Sequence, residues 1–317
     1  MIAPSGAKTM ASGNRDVATW GGVAGTLRRI LHFPLTRIVL GSAVCLLVTV
    51  AVNSLILKPI LGQLPIGQDS ARAIRLGLAL PLVLATYYWL FKWYERREVA
   101  ELAWRHLPKE GLFGFLGAVA PISLVILVLH MSGCYEIISA NGKLLRLVYP
   151  LIVVTCLVAI EEVLFRGILY RITEASLGTS LALIISGSLF GLMHVTNEHA
   201  NLISVLSAGS GGLLMGAMFS LTKRLWGPIF FHMGWNLAQV FYGTEVSGMD
   251  EFLAYSPLRA RLRGPEMLSG GAFGPENSVI TLALVLLLFA GVIHQARRKG
   301  QVIKPYWRRP ASLSSDE

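Results

Sequence analysis

The sequence predicts an all-α fold: a polytopic membrane helix bundle with about eight transmembrane helices and both termini in the cytoplasm. Three observations predict it. Hydrophobic residues make up 54% of the 317 positions and charged residues only 15%. The mean hydropathy is +0.59, and apolar segments recur along the whole chain. An ordinary soluble domain carries more charge and less apolar surface, so the bilayer is expected to be part of the solvent.

The apolar segments are long enough to be membrane spans. A helix needs roughly 20 apolar residues to cross the hydrocarbon core. Interruptions by Gly and Pro are tolerated because neighbouring helices or water satisfy the freed backbone groups. The predicted spans cover residues 38–57, 74–91, 112–132, 144–162, 180–196, 202–222, 226–242 and 278–295.

The positions of Lys and Arg predict the orientation of these spans. Most basic residues near span ends fall in the N-terminal segment, the loop at 92–109 and the C-terminal tail, which therefore belong on the cytoplasmic side. The net charge of +10 is then mostly a feature of topology, reinforced by anionic headgroups. Membrane lipid is the expected partner. Nucleic acid is not, because no basic patch is interleaved with aromatic residues.

The chain is expected to form one integral domain with two basic flanks. Residues 1–36 are a cytoplasmic N-terminal segment, 37–296 the membrane domain and 297–317 a cytoplasmic tail. Polar motifs concentrate in a core at about 144–242. The hydrophilic stretch at about 243–277 is expected outside the cytoplasm, either as a cap over the spans or as a disordered loop. The expected location is multi-pass in a bacterial inner or cell membrane.

The first polar cluster lies at the end of the predicted span 144–162, where Glu161 and Glu162 are followed by Arg166. Ionisable groups inside a membrane usually face a bundle interior or a water-filled cavity. Glu162 and Arg166 are four residues apart and can form an ion pair on one helix face. Glu161 is rotated about 100° away and can act on water in a cavity. The alternative is that both acids cap the span at the cytoplasmic interface.

Two further clusters lie on later spans. Phe190 and His194 share one helix face, as do His232 and Asn236. Hydrogen-bond donors at the second spacing can cradle a developing oxyanion. Each cluster alone has an ordinary explanation in packing, but three clusters on neighbouring spans favour one shared site.

The order Glu-Glu-x-x-x-Arg, Phe-x-x-x-His and His-x-x-x-Asn resembles the signature of the CAAX-protease and bacteriocin-processing family, intramembrane endopeptidases of the Ras-converting type. The resemblance covers about residues 157–240. It implies that Glu161 and His194 activate the attacking water. It also implies that His232 and Asn236 stabilise the tetrahedral oxyanion. The supporting residues that it implies are Glu162, Arg166 and Phe190.

The need for a metal stays open at this stage. Glu161, His194 and His232 offer the nitrogen and oxygen donors that zinc accepts, and the family is often labelled metallopeptidase. The HExxH motif is absent, and the similar eukaryotic-type enzymes are described as glutamate-dependent without a required metal. We expect water activation with no required cofactor; if a divalent metal is present, these three residues are its expected ligands.

The leading hypothesis is therefore an intramembrane endopeptidase. Its substrate would be a membrane-anchored or lipid-modified protein or peptide, prenylated or not, that enters between the spans. The alternative is a non-catalytic membrane scaffold or immunity protein in which the polar groups stabilise the bundle. A proton-coupled transporter that uses Glu161 and His194 as a relay would require inverted repeats, and the sequence shows no internal symmetry.

Overall fold

The computed structural model describes residues 23–308, and most of them lie in long helices. The outer parts of the two predicted basic flanks, 1–22 and 309–317, lie outside the described residues. The all-α class is confirmed. The long helices are α1 (Val23–His32), α2 (Pro34–Leu61), α3 (Gln68–Tyr94), α4 (Leu107–Met131), α5 (Leu144–Leu177), α6 (Thr179–Met193), α7 (Leu202–Thr222), α8 (Trp226–Phe241) and α9 (Val279–Arg298).

Within residues 23–308, seven helical segments are long and apolar enough to cross a membrane. They correspond to seven of the eight predicted spans. The eighth, predicted at 226–242, is α8, a helix of 16 residues. At 1.5 Å per residue it extends about 24 Å, less than the roughly 30 Å hydrocarbon core. Most of α8 is buried by protein, so its length is not set by contact with lipid.

Helix α8 nevertheless joins the two ends of the bundle, because it runs parallel to α4. Near its start, the carbonyl oxygen of Gly227 lies 2.6 Å from where a Cβ on Gly114 would be. Just past its end, the Tyr242 hydroxyl hydrogen-bonds to Ser123 at 2.8 Å. The described chain therefore passes along the bundle eight times.

One end of the bundle, here called the basic end, contains residues 95–106 and 223–225. Helix α2 begins there, since Arg37 pairs with Glu95 at 2.6 Å. The segment after α9 docks at the same end, where the backbone N–H of Thr179 donates to the carbonyl of Ile303 at 3.0 Å. The start of α2 and the end of α9 thus share one end, as eight passes require. The assignment of this end to the cytoplasm stays a prediction.

The opposite end carries a folded cap at residues 243–278. Strand β1 (Tyr135–Ala140), which follows α4, pairs antiparallel with β2 (Leu258–Leu262) of the cap. Arg72 of α3 holds Glu251 at 2.6 Å. Of the two alternatives for this stretch, the structure has the cap.

Small residues bring α6 close to α7. A Cβ on Gly191 would lie 2.6 Å from the carbonyl oxygen of Val205, and one on Gly187 would lie 2.8 Å from Leu213. Such contacts let membrane helices approach at backbone distance. They place Phe190 and the end of α6 directly beside α7.

Candidate active site

The predicted ion pair between Glu162 and Arg166 is present and fully buried. Arg166 Nη1 lies 2.7 Å from Glu162 Oε1, and both side chains have no exposed area. Arg166 Nη2 also donates to the carbonyl of Gly212 on α7 at 3.1 Å, and its guanidinium lies 4.6 Å from the centre of the Phe190 ring. This pair joins α5 to α6 and α7. It therefore does not serve as an exposed cap on the span.

The helix around this pair is not a regular α-helix. Directly after Glu162 the hydrogen bonding changes to the wider π type over Val163–Tyr170. Such insertions are rare and often occur at functional sites. The turn contains Arg166 and turns its side chain inward, while Glu161 keeps a side chain that is 33% exposed. The two neighbouring acids thus occupy different environments, as their rotation predicts.

His232 on α8 is oriented by Glu162. Its Nδ1 lies 3.0 Å from Glu162 Oε1. The same oxygen accepts from Arg166 Nη1, so it is an acceptor for His232 as well, and the proton of this contact is on Nδ1. The other ring nitrogen, Nε2, lies 3.9 Å from Glu161 Oε2. His232 is therefore flanked by both acids of the first cluster.

His194, at the end of α6, is oriented by the backbone. Its Nδ1 lies 2.8 Å from the carbonyl oxygen of Phe190, which can only accept a hydrogen bond, so the proton is on Nδ1 and Nε2 has a free lone pair in the neutral ring. The Phe190 ring lies between the two imidazoles, 4.9 Å from His194 and 5.8 Å from His232.

A cavity with about 60 Å³ of space accessible to water brings most of the predicted residues together. His194, His232 and Asn236 lie in its wall, next to the aromatic rings of Phe190 and Trp235. Glu161 is not among the lining residues and lies beside the cavity, next to His232. The three sequence clusters thus meet in one place, with Glu161 at its edge.

The three residues that we expect to bind a divalent metal, if one is present, are not grouped as a metal site in this structure. Among residues 23–308 there is no group of three or more His, Cys, Asp or Glu side chains placed to hold a metal ion. His194 and His232 each have Nδ1 engaged by a protein acceptor. Glu161 and His232 approach only to 3.9 Å. In both rings the engagement of Nδ1 leaves Nε2 without a hydrogen bond, which is also the arrangement of a metal-bound imidazole, so the contacts of Nδ1 do not exclude a metal.

Two of the cavity residues that the sequence did not predict carry polar groups directed to the site. Glu276 reaches the wall from the cap, where its Oε2 accepts from Trp235 Nε1 at 3.1 Å. Ser207 on α7 also lines the wall, and its buried hydroxyl has no hydrogen-bond partner among the described residues. Nothing in the spacing links either residue to the three clusters. No pattern in the sequence distinguishes Glu276 from the other acids of the stretch 243–277.

Comparisons with known proteins agree with the motifs. Residues 142–238 match the family described as "Type II CAAX prenyl endopeptidase Rce1-like". The protein named "Putative membrane peptidase YdiL" from Bacillus subtilis (strain 168) is 29% identical over 86 residues, 27% of this chain and 33% of that protein. The chain thus spans about a third of the length of this curated relative. No solved structure matches the chain. The match over residues 142–238 confirms the family resemblance that the three motifs predict.

Proposed function

We propose that the protein is an intramembrane endopeptidase that hydrolyses a peptide bond of a membrane-anchored or lipid-modified protein or peptide. The family match supports a membrane peptidase at the coarser level. The single observation that carries the finer proposal is the cavity wall, which holds two differently oriented imidazoles, His194 and His232, inside a membrane bundle. We further propose a bacterial cell membrane with the basic end in the cytoplasm.

Water activation is assigned to Glu161 and His194. The free Nε2 of His194 and the carboxylate of Glu161 are bases that can take a proton from water as its oxygen attacks the carbonyl carbon. A carbon–oxygen bond then forms and the carbonyl becomes an oxyanion. When the carbon–nitrogen bond breaks, the proton passes to the leaving amine. Water is the only co-reactant, since its oxygen enters the new carboxyl group and its proton enters the amine.

Oxyanion stabilisation is assigned to His232 and Asn236. Glu162 holds the proton on Nδ1 of His232, and in the imidazolium form of this ring Nε2–H becomes a donor as well. The Asn236 amide, one turn further along α8, supplies the second donor. Donors fixed before the charge develops stabilise a transition state without reorganisation, and one such donor is commonly worth about 3 kcal/mol.

The scaffold alternative accounts for part of the site. A buried Glu162–Arg166 pair would hold the same three helices together in a protein without activity. It gives no reason for His194, His232 and Asn236 to line one open cavity. The peptidase proposal accounts for both.

Peptide cleavage by purified protein in lipid vesicles tests the proposal. The substrates are a library of peptides with one transmembrane helix and a fluorophore–quencher pair, and the variants are Glu161→Ala and His194→Ala. The exposed residues Glu98 and His294 provide matched controls, Glu98→Ala and His294→Ala. Loss of cleavage in the first two variants alone supports the assignment, whereas equal cleavage by all five proteins contradicts it. Each reaction is repeated with a chelator, and unchanged cleavage would agree with metal-free activation.

A further inference from the structure

Glu276 introduces the one carboxylate among the residues that line the cavity, whose other side chains are apolar, aromatic, hydroxyl, amide and imidazole groups. It comes from the cap, three residues before α9, and lines the cavity together with His232 and Asn236. Phe231 and Phe273 line the same wall. Charges interact more strongly in such surroundings than in water because the local dielectric constant is lower.

Three neutral donors hold this carboxylate. Oε2 accepts from Trp235 Nε1 and from Gln239 Nε2, both at 3.1 Å. Oε1 accepts from the Ser247 hydroxyl at 2.6 Å. Two of these donors are on α8, the helix that carries His232, so the carboxylate is fixed relative to the candidate reaction centre. A carboxylate accepts about four hydrogen bonds, which leaves one acceptor position on Oε1.

The donors orient the charge of Glu276 but do not neutralise it. Over residues 23–308, none of the ion pairs includes Glu276, whereas the acid next to His232, Glu162, is paired with Arg166. Unpaired charges and acceptors are costly away from water. The arrangement is complementary to a cationic N–H donor, because the carboxylate keeps one open acceptor position and has no ion-pair partner among the described residues.

We infer that Glu276 is the specificity-determining residue of the cavity and binds a positively charged side chain of the substrate, lysine in the first instance. The inference rests on the proposed function, since it names the chemistry of the substrate that the candidate peptidase accepts. A cation bound at Glu276 would place the neighbouring peptide bond close to His232 and Asn236, because all three residues line one cavity.

Binding in an inactive background tests this inference independently of cleavage. The Glu161→Ala protein in vesicles is titrated with N-terminally acetylated, membrane-anchored peptides. Each pair of peptides differs only in carrying lysine or Nε-acetyllysine at one position, and the position is scanned along the segment. At one position we expect about tenfold tighter binding of the lysine peptide, the range for a favourable partly buried charge pair. Glu161→Ala/Glu276→Gln should bind both peptides equally.

The matched control is Glu161→Ala/Glu266→Gln. Glu266 belongs to the cap and accepts from Asn201 at 2.8 Å, but it is not part of the cavity wall, so this variant should keep the lysine preference. Equal affinity of the parent for both peptides at every position overturns the inference, even if Glu276→Gln fails to fold. An unchanged preference in Glu276→Gln also overturns it. A lysine preference without cleavage by the wild type would instead refute only the proposed function.

Discussion

Arg166 and His232 share one carboxylate oxygen. Oε1 of Glu162 lies 2.7 Å from Arg166 Nη1 and 3.0 Å from His232 Nδ1. This single atom therefore links α5 to α8 and fixes the orientation of an imidazole in the cavity wall. The other oxygen of Glu162 is buried without a partner in the described part of the chain, so the carboxylate depends on these two contacts.

Removing the Glu162 charge is expected to destabilise the protein strongly. Glu162→Gln leaves the buried Arg166 guanidinium uncompensated, which typically costs about 3–5 kcal/mol of unfolding free energy. Arg166→Met leaves the opposite charge uncompensated. The double variant should lose clearly less than the sum, because neither charge remains. Thermal unfolding in detergent measures the three variants, and additive losses would show that the pair contributes no coupling.

Asn236→Ala is expected to affect turnover much more than stability. Loss of one oxyanion donor lowers kcat by about 10²–10³. Because this contact forms only in the transition state, KM should change little. Steady-state cleavage of the peptide identified above gives both constants, with unfolding temperature as the control. A raised KM at unchanged kcat would place Asn236 in substrate binding.

Close contact between α4 and α8 is expected to be sensitive to one methyl group. A Cβ on Gly114 would lie 2.6 Å from the carbonyl oxygen of Gly227. Relief of this overlap requires a shift of one helix backbone, which costs free energy of folding. Gly114→Ala should therefore destabilise the fold by about 1–3 kcal/mol and reduce activity through displacement of His232. Gly291→Ala on α9 is the matched control, because no atom lies within 4 Å of its added Cβ. Equal unfolding temperatures for the two variants would contradict the prediction.

The basic end is expected to lose stability in acid because of Glu95. Burial alone would raise the pKa of Glu95, but hydrogen bonds from Arg171, Arg37 and Arg97 outweigh it and hold the pKa at about 2, below the ordinary value of 4.5. A lowered folded-state pKa means that the unfolded chain binds the proton more readily. The stabilisation is therefore complete above about pH 4.5 and is lost as the pH falls towards 2.

Unfolding temperatures between pH 7 and pH 2.5 measure this effect. Glu95→Gln should be less stable at pH 7 and should lose less stability than the wild type on acidification. The control is Glu136→Gln, which breaks an exposed ion pair with Arg263 and should change little, since such pairs contribute about 0–1 kcal/mol. Parallel pH profiles for Glu95→Gln and wild type would show that Glu95 is not the responsible group.

The sequence was most informative where local spacing decides the structure. Four-residue spacing placed Glu162 and Arg166 in contact, and apolar length located seven of the spans. The same reasoning predicted that Glu161 would face away from Glu162. These results depend on helix geometry, which neighbours in the chain determine.

Features that depend on tertiary packing could not be predicted. The short length of α8 reflects its burial among other helices. A hydropathy pattern does not distinguish an apolar helix that contacts protein from one that contacts lipid. Glu276 reaches the cavity only because the cap folds back onto α8. Each of these features depends on contacts between elements that are distant in the chain, and no periodic pattern in the sequence predicts such contacts.

The shortness of α8 has a consequence for the supply of a reactant. Hydrolysis consumes water, which is scarce at the middle of a bilayer. His232 lies six residues from the start of α8 and is thus only about 9 Å along its axis from the first turn. Because α8 is about 6 Å shorter than the hydrocarbon core, the chain segments at its two ends lie closer together than the two faces of that core. The element that carries His232 and Asn236 thereby shortens the distance that solvent must travel to meet a peptide bond.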